Sequence, residues 1–239
     1  MIFVKTRKVG GTSIESALRP FLGDGDIVAC CLPRDEYRLV PRGYCPRNYA
    51  VNREDEVIFN EMVRNKDFSG ALNHYKAIDK LVRGHLSATE IRRVVGRKLY
   101  DSLYKVSIER HPYNWTISFA CYDRYAYNNC AQQSLDLNQI KSRVKKFLAS
   151  PKYDRMLNWY YYTEGDEFIV DHVMAYDHLG TEFEALLTHV GIDTACISLQ
   201  KFKFGPANGF ATDAILSEED KDKIFNKCKS TFAAFGFGR

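Results

Sequence analysis

Apolar positions along this chain come in short blocks separated by polar, turn-forming stretches, and the blocks alternate between strand and helix spacing. Residues 2–5 read as a short buried strand running into a polar turn. Residues 13–21 carry a helical pattern that ends at Pro20 and Gly23. Residues 26–32 are apolar enough for a second strand. Residues 33–56 are rich in Pro, Arg, Asn and Tyr and hold no period, so a long loop or lid is expected there. A polar helix is expected over 56–65 and a short strand over 80–83. A helix over 87–95 opens with Ser87 and Glu90 at capping-box spacing. Then come a strand over 103–108, a helix from Pro112 to about residue 125, and a basic amphipathic helix over 137–149. An aromatic-faced helix over 153–163, a strand over 168–176, a helix over 180–190 and a last helix over 217–232 complete the pattern.

Strands alternating with helices imply an α/β fold, with a central parallel sheet flanked by helices and joined by right-handed crossovers. The expected organisation is one domain over 1–239, with 33–56 as a loop or lid insertion. Ligands in such sheets bind at the carboxyl ends of the strands. Lys8, His85 and Arg110 each follow a predicted strand, so one edge could gather all three.

Composition narrows the class. With 239 residues, 45% of them apolar and 27% charged, the chain can bury a sizeable core and is not of disordered type. A net charge of only +4 argues against a nucleic-acid coat protein and suits an anionic ligand held in a local basic pocket. The seven cysteines, at 30, 31, 45, 121, 130, 196 and 228, form no C-x-x-C pair and no metal spacing. They read as reduced thiols in a reducing compartment. No signal peptide or transmembrane run is visible, so a cytoplasmic protein with no membrane segment is expected. Oligomeric state is not encoded in any pattern found.

The candidate chemistry begins in the first turn. Arg7, Lys8, Val9, Gly10, Gly11, Thr12 and Ser13 place cations, glycines and hydroxyls between a strand and a helix. Glycines let the backbone approach a ligand, and the open amides and positive dipole end of the helix favour an anion. The common phosphate loop puts its lysine after the glycines; here Lys8 precedes them. A strand–turn–helix corner that uses Gly only for packing is the plain alternative. Farther on, Arg110-His111-Pro112 follows a strand, and Ser118 stands eight residues after Arg110 on the next helix. An arginine fork there suits a phosphate. A third feature, Gly84-His85, closes a predicted strand and offers an imidazole able to take a proton near neutral pH.

The pattern Lys8-Val9-Gly10-Gly11-Thr12-Ser13 resembles the 5′-phosphosulfate loop of sulfotransferases that use 3′-phosphoadenosine 5′-phosphosulfate (PAPS), and its form is most similar to the carbohydrate sulfotransferases. Arg110 and Ser118 resemble the family's 3′-phosphate segment, and Gly84-His85 the segment that presents its base. The chain departs from the family at His111, where Asp or Asn is usual, at Trp115, where a second Arg is usual, and at Ala120, where an aromatic is usual. The resemblance implies a three-layer P-loop-like fold and an enzyme that moves a sulfonate from PAPS to an acceptor hydroxyl, most often on a glycan, leaving 3′-phosphoadenosine 5′-phosphate (PAP). It implies Lys8 and His85 as catalytic residues. It implies residues 7–13 with Arg110 and Ser118 as donor contacts, and Lys201 and Lys203 as further donor contacts. It implies neither a metal nor nucleic acid as a partner. Golgi members of the family carry an amino-terminal anchor, so the Golgi lumen is the expected site if one was removed. His111 and Glu15 are rival bases.

Two other functions compete. A P-loop-type kinase needs a lysine after the glycines and acidic magnesium ligands after another strand. A non-catalytic polyanion binder could use Arg83, Arg92, Arg93, Arg97 and Lys98 with Lys141, Arg143, Lys145 and Lys146, which could equally be solvated helix faces.

Overall fold

The computed structural model describes residues 1–128, 134–197, 199 and 209–239. Its centre is a small parallel sheet in a mixed α/β chain. Strand β1 (Ile2–Phe3) lies beside β2 (Lys105–Glu109), with Ile2 opposite Lys105. After a two-stranded hairpin, β3 (Thr163–Glu164) with β4 (Glu167–Phe168), strand β5 (His172–Ala175) pairs with the other side of β2. The sheet order is therefore β1-β2-β5.

β2 is buried at every position, and its alternation sorts its side chains to two faces. Val106 and Ile108 join a large core with Ile14, Trp115, Val144, Met174, Phe183 and Ile224. That core draws on helix α1 (Gly11–Leu18) and on the helices Pro112–Ala120, Leu137–Leu148, Leu179–His189 and Glu218–Lys227. A second apolar cluster holds Ile2, Val4, Ala88, Tyr100, Trp159 and Tyr162. Apolar cores with helices thus form against both sides of the sheet. Two hydroxyls fasten β1 to β2, since Ser107 Oγ donates to the Val4 carbonyl and Thr6 Oγ1 to the Ile108 carbonyl.

Several expected elements change form. Residues 26–32 and 80–83 are not strands; each makes one isolated antiparallel bridge, Val28 with Arg47 and Lys80 with Ala50. Their pairing needs are met by loops, not by the sheet. The stretch 33–56 carries the helix Pro33–Glu36 and a helical turn Val40–Arg42. It packs Val40, Tyr49 and Ala50 into a third core with Phe59 and Val63. Its charges hide this pattern. Glu36 is fully buried against Arg19 through two bonds, of 2.5 and 2.8 Å. Glu56 accepts the backbone amides of Asn48, Tyr49 and Ala50. The helix Phe68–Ala77, capped by Asp67, has no counterpart in the expectation. The expected helix 153–163 splits into Lys152–Arg155 and Trp159–Tyr162.

The capping box at Ser87 and Glu90 forms as expected at the start of Ala88–Val95, and Ser217 caps Glu218–Lys227. Among the described residues no helix is long and apolar enough to cross a membrane.

Candidate functional site

The chain leaves β1, turns through residues 7–10 and enters α1. Gly10 takes the left-handed conformation at φ 79°. A Cβ there would stand 3.1 Å from Leu179 Cδ2 and 3.4 Å from Tyr176 Cε2, so backbone shape and close packing both require glycine. A Cβ on Gly11 would stand 3.0 Å from Lys5 Cγ. Val9 plugs into the main core and is fully buried. No side chain caps α1. The Ser13 amide turns back to the Gly10 carbonyl at 2.8 Å, while the amides of Val9, Gly10, Gly11 and Thr12 donate to nothing among the described residues. Four successive open N–H groups at a helix start suit an anion.

The loop is held from behind. Asn158 takes the Arg7 amide on Oδ1 at 2.8 Å and donates from Nδ2 to the Arg7 carbonyl at 3.1 Å. Trp115 Nε1 donates to the same carbonyl at 2.9 Å. Trp115 thus spends its polar atom on fixing the turn. Asn158 in turn leans on Glu109, which also receives the Tyr162 hydroxyl at 2.6 Å and the Arg110 amide at 2.8 Å. Burial pushes the Glu109 carboxyl up to about 7, with these hydrogen bonds pulling the other way. Sequence reasoning missed both Asn158 and Glu109. Asn158 is 151 residues from Arg7, and no local pattern marks it.

Lys8 and Arg110 meet at this edge. Lys8 sits at φ 60°, and its Nζ lies 3.9 Å from the centre of the Tyr122 ring. Arg110 donates from Nη1 to the Lys8 carbonyl at 3.3 Å and lies over the Tyr176 ring at 4.4 Å. Its Nε is buried with no hydrogen-bond partner among the described residues. Burial pulls the Arg110 pKa down, against Tyr176 and Asp177. An unbonded buried N–H costs about 1–3 kcal/mol, so an acceptor at this place is favoured. Ser118 is half-buried on Pro112–Ala120, and its hydroxyl has no partner among the described residues. Lys201 and Lys203 lie outside the described residues.

His85 meets the chain at Lys5, before the loop begins. It also holds a left-handed backbone, at φ 63°. Among the described residues only four non-glycine residues do so, and Lys8 and His85 are two of them. Such strain concentrates at functional sites. His85 Nδ1 lies 2.9 Å from the Lys5 carbonyl, which can only accept. A neutral His85 therefore carries its proton on Nδ1. His85 opens on a cleft of about 280 Å³ that Arg7, Arg83, Arg155, Tyr160 and Tyr161 also line.

The rival bases are engaged elsewhere. His111 accepts the Tyr113 amide on Nδ1 and bonds the Gly238 carbonyl through Nε2, among Tyr113, Phe232 and Phe237. Glu15 is bound by Lys5 and by the Cys31 thiol. Of the basic surface residues, Arg83 pairs with Glu90, Arg92 with Glu164 and Arg97 with Asp101. No family model matches this chain, and neither does any curated protein or solved structure.

Proposed function

We propose that this chain is a PAPS-dependent sulfotransferase acting on the hydroxyl of a carbohydrate acceptor, with the three-layer P-loop-like arrangement that this activity uses. The observation that carries the reading is the pair of anion-seeking features on one edge. One is the row of amides at residues 9–12, and the other is Arg110, bonded to the same loop; among the described residues those amides and Arg110 Nε have no acceptor.

In this reading residues 7–13 cradle the 5′-phosphosulfate, and Arg110 and Ser118 hold the 3′-phosphate. Lys201 and Lys203 belong to the same donor site. The donor supplies the sulfonate, whose sulfur gains a bond to the acceptor oxygen as its bond to the phosphate oxygen breaks. Lys8 offsets the negative charge that builds on the departing oxygen. His85 takes the acceptor proton on Nε2. Its tautomer supports that role, since the Lys5 carbonyl fixes the proton on the opposite nitrogen. The scheme involves no metal, and a cytoplasmic enzyme on a soluble glycan or glycoconjugate suits it.

Titration calorimetry with PAP and with Mg-ATP tests the reading. PAP should bind at least tenfold more tightly, because Arg110 and Ser118 have no 3′-phosphate to hold in ATP. ATP binding as tightly as PAP would favour a kinase and end this assignment.

A further inference from the structure

Behind the anion loop sits a carboxylate with no cation to balance it. Glu109 ends β2 and is only 3% exposed. Its Oε1 accepts the Arg110 amide at 2.8 Å and Asn158 Nδ2 at 3.2 Å, and its Oε2 accepts the Tyr162 hydroxyl at 2.6 Å. All three donors are neutral groups. Among the described residues Glu109 has no ion pair.

The elements packed around it do not supply the missing charge. The Arg110 guanidinium turns away to the Lys8 carbonyl and the Tyr176 ring, and the Arg7 guanidinium to the Tyr161 hydroxyl. On the β5 side Ala175 stands opposite Glu109, while Asp177 faces Arg110. Burial holds the Tyr162 phenol well above its ordinary pKa and pushes the Cys228 thiol, just past helix Glu218–Lys227, up to about 12. Tyr153, 3.8 Å from the Cys228 sulfur, is raised in the same way. Lys227 is taken up by Asp154 at 2.6 Å. Within this cluster only Glu109, which burial pushes up to about 7, changes charge near neutral pH.

Two short paths join this carboxylate to the loop. Asn158, which donates to Glu109, also holds both the amide and the carbonyl of Arg7. On the other side Glu109 fixes the amide of Arg110, whose guanidinium bonds the Lys8 carbonyl. An anion on the amides of residues 9–12 therefore meets an uncompensated negative charge that little water screens. Two like charges about 10 Å apart, at an effective dielectric of about 20, cost about tenfold or more in affinity. Protonation removes that cost and leaves in place the oxygens that hold Asn158 and Arg110.

We infer that Glu109 is a positioning residue that takes up a proton when an anion occupies the loop, so that anion binding there is coupled to protonation. The coupling is reciprocal: the bound anion raises the proton affinity of Glu109, and the proton raises the affinity for the anion. That the anion is the phosphosulfate donor rests on the transferase reading. The coupling needs only an anion on the loop. Affinity is highest below about pH 7 and falls as Glu109 ionises in the empty site.

The test is titration of the whole chain with sulfate, and separately with PAP, at pH 6, 7.5 and 9. Sulfate keeps its charge across this range, so a change in its affinity belongs to the protein. The parent should lose about tenfold in sulfate affinity from pH 6 to pH 9, one tenfold step for each unit by which the anion raises the Glu109 pKa. Glu109→Gln, uncharged throughout, should bind sulfate at pH 9 about as tightly as the parent does at pH 6. Calorimetry at pH 7.5 in two buffers of different ionisation heat should show more proton uptake by the parent than by the variant. A flat parental profile overturns the inference whether or not the variant folds. So does a variant that binds more weakly at every pH with the parental slope, the mark of a bracing role alone. Sulfate binding with this coupling but no PAP binding removes the donor reading and keeps the coupling. Tight PAP binding with the same profile in parent and variant removes the coupling alone. Failure of both anions to bind removes both.

Discussion

The Arg110 guanidinium reaches across 102 positions of sequence to donate to the backbone carbonyl of Lys8 at 3.3 Å. The contact follows from parallel pairing. β1 and β2 run the same way, so both chains leave the sheet at the same edge. The two segments that look anion-binding separately in sequence are thereby neighbours in space, which suits a ligand with negative charge at two ends.

Arg110→Lys should separate those two ends. Lysine keeps the charge but loses the planar fork. PAP affinity should fall about tenfold to a hundredfold. Affinity for adenosine 5′-phosphosulfate, which has no 3′-phosphate, should hardly change. Equal losses for both nucleotides would remove Arg110 from the 3′-phosphate.

Lys8→Ala should lower turnover about 10²–10³-fold if Lys8 acts as one preorganised charge donor. The chemical denaturation midpoint should stay near that of the parent, because alanine meets the same left-handed backbone at φ 60°. Donor-dependent mass shift of an acceptor gives the turnover. Near-parental turnover in a folded variant contradicts the catalytic role.

Gly10→Ala should cost stability and the anion seat together. A left-handed alanine costs about 1–2 kcal/mol, and its methyl would meet Leu179 Cδ2 at 3.1 Å. Urea unfolding should show a loss of about 1–3 kcal/mol. PAP titration should show weaker binding as the four amides shift.

Glu109→Gln should flatten the dependence of stability on pH. The Glu109 carboxyl is pushed up to about 7 from an ordinary value of 4.5, because burial disfavours its charged form. Between these values the fold keeps the proton while the unfolded chain has lost it. This group's contribution is therefore complete below about pH 4.5 and is lost as pH rises to about 7, by about 3 kcal/mol at 1.36 kcal/mol per unit. A glutamine can still accept from the Arg110 amide and Asn158 through its oxygen, and its NH₂ can donate to the Tyr162 hydroxyl. Denaturation measured from pH 4.5 to pH 8 should show a falling curve for the parent and a shallower one for the variant. Identical slopes would show that Glu109 does not titrate in this range.

Glu36→Ala should destabilise the protein by about 3–5 kcal/mol, because it leaves the buried Arg19 guanidinium without its partner. Urea unfolding would detect the loss. A change below about 1 kcal/mol would mean that the stretch around Glu36 is loosely attached after all.

Local signals were legible wherever chemistry and conformation are set by neighbours in sequence. The glycine pair after β1, the capping box at Ser87 and Glu90, and the helix start at Ser217 are of this kind. So are strand β2 and the helix that Pro112 opens. The stretch 33–56 was illegible because Glu36 and Glu56 occupy buried positions and interrupt the apolar pattern, while their partners lie elsewhere in the chain. Residues 26–32 and 80–83 have strand-like composition but each pairs through a single bridge with a loop segment, Arg47 and Ala50, instead of joining the sheet. The helix expected over 153–163 breaks where Asn158 turns to grip Arg7, a demand that no helical propensity foretells.

By itself, then, the chain specified a cationic turn with two glycines, a following arginine and a histidine at the end of a short apolar run, because glycine freedom, capping and charge act over a few residues. Tertiary structure alone decided that Lys8 and Arg110 share an edge, that Asn158 and Glu109 brace the turn, and that three arginines from distant segments line one cleft. Those relationships depend on which strands pair and on which polar groups burial forces to find partners, and neither is written within any one window of sequence.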